Sequence, residues 1–182
     1  ISLGLVGSEM CIRDRYTTID RYWFWRIDYY LWEQRELFFK KELLNVVEKY
    51  VFRRNRSIEH IAPQHPKDEF GDKDRFYWDD ESRPEVAMKR DCLGNMVMIS
   101  SGQNSTLTNS CFEVKHAVMQ RYASGNGTVE SLKMLYVYSK YSSWSLDNID
   151  EHQRFSMNVL KYSYERDSRG WNDFHNIMHW KL

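Results

Sequence analysis

The chain has 182 residues, 42% of them hydrophobic and 15% aromatic, enough apolar matter for a packed core and too much for a disordered chain. Its 26 Lys and Arg balance 26 Asp and Glu, so it lacks the basic excess of a dedicated DNA-binding domain, in which neutralised phosphates supply most of the affinity. Cys11, Cys92 and Cys111 form no CxxC pair, which excludes a four-cysteine zinc knuckle and a disulfide framework and points to a reducing, cytoplasmic setting.

Residues 1–15, ISLGLVGSEMCIRDR, start at Ile1 rather than methionine, so we expect a fragment of a longer polypeptide led by a non-native or disordered segment. Its apolar part is too short for a signal peptide and has no basic stretch before it. Nowhere does an apolar run approach the roughly 20 residues that span a bilayer. Residues 21–48 carry Trp23, Ile27, Tyr30, Leu31, Phe39, Leu43, Val46 and Val47 at near-helical spacing, which predicts a helix. The aromatic run YWFWRIDYYLW admits base stacking, but aromatics at helical period face inward, and core packing is the preferred reading. Residues 52–61 alternate imperfectly and predict a short strand, ended by Pro63 and Pro66. Residues 64–83 are polar and acidic, a loop. Pro84 suits the first turn of a short helix. Met96-Val97-Met98-Ile99 is a compact apolar run and reads as a second strand, followed by a Ser/Thr/Asn/Gly loop over 100–109 and a helix over 110–122. After the break at 124–127 two more helices are expected, near 129–141 and 146–164. The domain then spans 16–165, with 166–182 as a C-terminal tail.

Two strands joined by a long loop and followed by a helix make a ββα arrangement. The fold class is α+β: a small hairpin that is not stable alone, embedded in a mostly helical domain. Chemistry concentrates in Ser57-Ile58-Glu59-His60-Ile61-Ala62-Pro63, where a carboxylate directly precedes a histidine at the end of the first strand. Phosphodiester hydrolysis needs a nucleophile and charge relief at phosphorus and at the leaving oxygen. A hard divalent cation held by one or two protein oxygens plus water gives the charge relief, and a neutral histidine takes the proton of the attacking water. Neighbours on a strand point to opposite sides, which makes Glu59 the candidate metal ligand and His60 the candidate base. Asn95, Asn104 and Lys115 follow downstream, nine and then eleven positions apart. By residue type alone, Gly94-Asn95 is equally a turn and Asn104 equally a cap. Arg53, Arg54 and Arg56 either guide phosphates toward His60, with Arg56 the nearest substrate contact, or solvate a strand edge. His65 reads as solvated, and His116 faces about 100° away from Lys115. His175 and His179 are a metal-capable i,i+4 pair without a third ligand, and read as helix packing.

This order resembles the HNH nuclease pattern, an acid-His step followed by Asn, a second Asn or His, and a basic residue on the helix. The resemblance implies that Asn95 ties the loop carrying His60, the two forming the catalytic set. It implies that Asn104 joins Glu59 on the metal, and that Lys115 contacts phosphate or backs the metal site. The implied cofactor is Mg²⁺, with Mn²⁺ equally suited to oxygen ligands. Over about residues 20–164, IEHIAPQ, LGNMVMIS, QNSTLTNSCFEVK and WSLDNIDEHQR resemble the C-terminal nuclease domain of GmrSD-like restriction enzymes. That implies an endonuclease acting on DNA in the restriction of foreign or modified phage DNA, beside an N-terminal ParB-like nucleotide-hydrolysing domain. Glu59 departs from the more general Asp, which lengthens the reach to the metal. The alternative is a module on the same scaffold that binds or docks on DNA without cutting. A purely structural helical domain would leave Glu59, His60 and Asn104 far apart.

Overall fold

A computed structural model describes residues 20–65, 76 and 78–169, with side chains through 163. The expected leader over 1–15, most of the loop over 64–83, and the pair His175 and His179 lie outside the described residues.

Helix α1 (Tyr22–Glu33) buries Phe24, Ile27, Tyr30 and Leu31 at three- and four-residue spacing, the stripe that drives an amphipathic helix onto a core. Its aromatic run therefore splits: Tyr22, Trp25 and Tyr29 face outward. The single helix expected over 21–48 is in fact three, continuing as α2 (Arg35–Phe38) and α3 (Lys41–Glu48). Phe39 (φ −118°, ψ 143°) and Lys40 (φ −64°, ψ 152°) are extended. The break lets the Phe39 ring turn inward, where it packs edge-on against Tyr136 at 6.2 Å.

Strand β1 (Ser57–His60) pairs antiparallel with β2 (Met96–Ile99), with Ser57 opposite Ile99 and His60 opposite Met96. Every residue of β2 is buried, as expected of a strand covered on both faces, and the reason it reads as a continuous apolar run. Between the strands come α4 (Pro84–Arg90), with proline in its first turn, and a 3-10 turn, Leu93–Asn95. Gly94 sits there because α8 (Leu146–Arg169) packs directly on the turn: a Cβ would lie 2.5 Å from the Ile149 carbonyl oxygen. Close approach, not a left-handed turn, explains this glycine.

The loop expected over 100–109 is instead mostly helix, α5 (Ser101–Leu107). Ser100 caps it, accepting from the Gln103 amide at 3.1 Å. Ser105 and Thr106 donate their hydroxyls to carbonyls four residues back, so the polar side chains that suggested a loop are absorbed by the helix. Helices α6 (Phe112–Ala123) and α7 (Leu132–Lys140) follow, close to expectation. Helix α7 is buried on all sides from Leu132 to Tyr138, packing against α1 and α6. Helix α8 contacts α1, α4 and the 3-10 turn. No described helix is long and apolar enough to cross a membrane.

Candidate functional site

The site is built at the closed end of the hairpin. Among the described residues the sheet has only two strands, so each strand leaves outward-facing backbone groups that need partners. At the end of β1 that partner is Lys115 on α6, only 1% exposed. Its ammonium donates to the carbonyls of His60 (2.6 Å) and Ile61 (3.3 Å) and lies 2.7 Å from the Glu59 Oε1.

His60 is buried and turned the other way. Its Nε2 lies 2.9 Å from Oδ1 of Asp91, the residue just past α4. Asp91 also accepts from Gln64 Nε2 (3.0 Å) and, at Oδ2, from Arg90 Nε (3.0 Å). Burial alone would raise the Asp91 carboxyl, but hydrogen bonds from His60, Arg90 and Gln64 and the Arg90 charge outweigh it and hold Asp91 well below the usual carboxylate range. An ionised carboxylate only accepts. The hydrogen therefore sits on His60 Nε2, and in the neutral ring Nδ1 is the basic nitrogen.

Asn95 is fully buried and uses both ends of its amide. Oδ1 accepts from the Ala62 amide (2.9 Å) and the Trp144 indole (3.1 Å), while Nδ2 donates to the carbonyls of Arg90 (2.9 Å) and Ala62 (3.2 Å). One side chain thus joins the segment after β1, the end of α4 and the segment before α8. Asn104 lies on α5, not in a loop, and Nδ2 donates to Ser57 Oγ (2.7 Å) and the Ile58 carbonyl (3.3 Å). Ser57 and Glu59 share a strand face, so the Asn104 amide meets β1 on the Glu59 side.

Glu59, His60, Asn95 and Lys115 converge on this end of the hairpin, whereas Asn104 meets β1 toward its other end, at Ser57 and Ile58. Arg56, one residue before β1, has an exposed side chain, as do Arg53 and Arg54, and its carbonyl accepts from Arg21 Nε at 3.1 Å. His65 is exposed, and His116 stacks on Phe112 at 5.9 Å. His152, not singled out from sequence, is wholly buried among Tyr136, Tyr141, Trp144 and Phe155. Burial holds its imidazole well below the ordinary value, so it is a neutral core residue. Asp91 is the residue that sequence reasoning missed. It lies 31 positions from His60, and nothing in the local pattern Lys-Arg-Asp-Cys sets it apart from a solvated acid.

Among the described residues no cluster of three or more His, Cys, Asp or Glu is able to hold a metal ion. A cation at the hairpin would rest on one carboxylate and one amide. Those are hard oxygen donors of the kind that suits an ion keeping several waters, but the Glu59 carboxylate already faces the Lys115 ammonium at 2.7 Å. With its nitrogen committed to β1, Asn104 would offer Oδ1.

A family model described as GmrSD restriction endonucleases, C-terminal domain, matches residues 9–157. No curated protein and no solved structure matches the chain.

Proposed function

Because the chain belongs to the family of GmrSD restriction endonuclease C-terminal domains, we propose that it is an HNH-type, metal-dependent endonuclease domain with a ββα-metal core, hydrolysing DNA phosphodiester bonds. The observation that carries this reading is the His60–Asp91 contact at the hairpin end, with Glu59 and the Ser57 that Asn104 bonds on the same face of β1. His60 takes the proton of the attacking water. Asp91, kept ionised, fixes the tautomer through Nε2 and stabilises the imidazolium that forms, a step worth roughly 10²–10⁴ in rate. Asn95 holds the segment 61–62 in place and acts as a positioning residue. Glu59 and Asn104 would hold one Mg²⁺, or Mn²⁺, which supplies charge relief to the phosphate and the leaving oxygen. Of the two roles open to Lys115, burial favours support: it fixes the His60 carbonyl and faces Glu59 rather than solvent. In this reading the domain works in the cytoplasm on foreign or modified DNA, beside an N-terminal ParB-like nucleotide-hydrolysing domain.

A second reading, a module that binds DNA without cutting it, is favoured by one observation: the Glu59 carboxylate already faces the Lys115 ammonium at 2.7 Å. Calorimetric titration of Mn²⁺ separates the two. The nuclease reading expects binding that Glu59→Ala and Asn104→Ala each weaken at least tenfold, together with plasmid nicking in Mg²⁺ or Mn²⁺ that EDTA abolishes. Metal binding untouched by either substitution would remove the assignment of both ligands.

A further inference from the structure

The outward face of α1 has no use in the site described above. Tyr22, Trp25 and Tyr29 recur at three- and four-residue spacing on that face and are all exposed, Trp25 by 36% and Tyr29 by 44%. Phe52, 45% exposed, extends the stripe: its ring lies 6.2 Å from Tyr29 and 5.8 Å from the partly buried Trp32. Four adjacent surface aromatics are unusual in a chain that buries Phe24 and Tyr30 from the same helix.

The charge beside them is one-sided. Residues 49–56, KYVFRRNR, carry Lys49, Arg53, Arg54 and Arg56 and no acid, in a chain whose formal net charge is zero. The three arginines are exposed. Arg21, just ahead of α1, donates to the Arg56 carbonyl and ties the start of the aromatic stripe to the start of β1. Asp20 and Glu33 stand at the two ends of the stripe, Glu33 within reach of the Tyr29 hydroxyl at 3.4 Å. Flat aromatic faces next to arginines suit unpaired bases and their phosphates, because every base has a π-face to stack and every linkage a charge to neutralise.

We infer that the outer face of α1 and residues 52–56 bind an unpaired stretch of DNA, with bases stacked on Trp25, Tyr29 and Phe52 and phosphates held by Arg53, Arg54 and Arg56. The choice of DNA rests on the nuclease reading; the choice of a single strand rests on the exposed rings. From Arg56 the chain enters β1, and four extended residues carry it roughly 13 Å to His60. A strand held on this surface is thereby delivered to the hairpin end.

The test is fluorescence anisotropy of a labelled oligothymidylate and of a duplex of equal length, with the full chain in EDTA so that nothing is cut. The single strand binds more tightly than the duplex. Trp25→Ala with Phe52→Ala weakens single-strand binding by roughly 5-fold or more per stacked base. Arg53→Gln with Arg54→Gln, which alters only exposed side chains, lowers the salt slope by roughly 0.7 per lost phosphate contact. Three results overturn the inference: no single-strand binding by the wild type, equal binding by both double variants, or a self-association that Trp25→Ala abolishes while DNA binding is unchanged. Plasmid nicking separates this inference from the nuclease reading. Variants that bind and nick like the wild type refute the surface and spare the nuclease. Weakened binding in the variants, with no nicking by any protein, refutes the nuclease and spares the surface.

Discussion

Two buried lysines serve the same hairpin in different ways. Lys115 on α6 donates to the carbonyl of His60, and Lys133 on α7 donates to the carbonyl of Met96 at 2.6 Å. His60 and Met96 are opposite each other in the register, so the two ammonium groups close the two outer edges of the sheet at one rung. Each is 1% exposed, and each reaches a second carbonyl, Ile61 for Lys115 and Leu93 for Lys133. The difference lies in the counter-charge. Lys115 faces Glu59 at 2.7 Å. Lys133 has no carboxylate within ion-pair distance among the described residues: Asp28, the carboxylate whose charge acts on it, spends Oδ1 on the Lys133 backbone amide at 2.7 Å. Burial accordingly lowers the Lys133 ammonium to about 7 and raises the Asp28 carboxyl to about 7. The β2 edge is closed by a group that is free to lose its charge. The β1 edge is closed by one whose charge is matched to the residue beside His60.

Lys115→Met should have the largest effect. It leaves Glu59 as a buried carboxylate without its cation, and breaking such a pair costs about 3–5 kcal/mol in urea unfolding. Adding Glu59→Gln should recover a large part of that loss. No recovery would mean that the carbonyl contacts, not the ion pair, make Lys115 necessary. Lys133→Met should cost less, about 2–3 kcal/mol, from two buried carbonyls left without a donor.

The pH dependence of the same two proteins sharpens the contrast further. The folded pKa of Lys133 lies below its unfolded value of 10.5. Its contribution to stability is therefore complete above 10.5 and is lost as pH falls through about 7. Between pH 7 and 9 the wild type should gain on the order of 1–2 kcal/mol over Lys133→Met, and parallel stability curves would refute a charge-shedding Lys133. Asp28, whose folded pKa burial raises, runs the opposite way. Its contribution is present below 3.8 and is lost as pH rises through about 7, so Asp28→Asn should flatten stability over that window by up to about 4 kcal/mol.

Much of this architecture is legible in the sequence, for physical reasons that also mark where legibility stops. Strand β2 is readable because burial on both faces leaves Met96 to Ile99 uniformly apolar between turn residues. Helix α5 is not, since Ser105 and Thr106 have the same composition whether they turn a loop or bond back into a helix. The break at Phe39-Lys40 is hidden because apolar spacing continues across it while the backbone becomes extended. In the candidate site, the pairing of Glu59 with His60 and the spacing to Asn95 and Asn104 can be read along the chain. Asp91 cannot, because its partner lies 31 positions away. Nor can the burial of Lys115, a residue type that sits at the surface unless a specific acceptor holds it inside.

The most direct test of the account is plasmid nicking in Mg²⁺ or Mn²⁺ by the wild type and by His60→Ala, after circular dichroism shows that both are folded. With His60 as the base, the wild type nicks and the variant falls by at least a hundredfold while still binding DNA. Nicking by His60→Ala at the wild-type rate would contradict the account and move the chemistry away from the hairpin end.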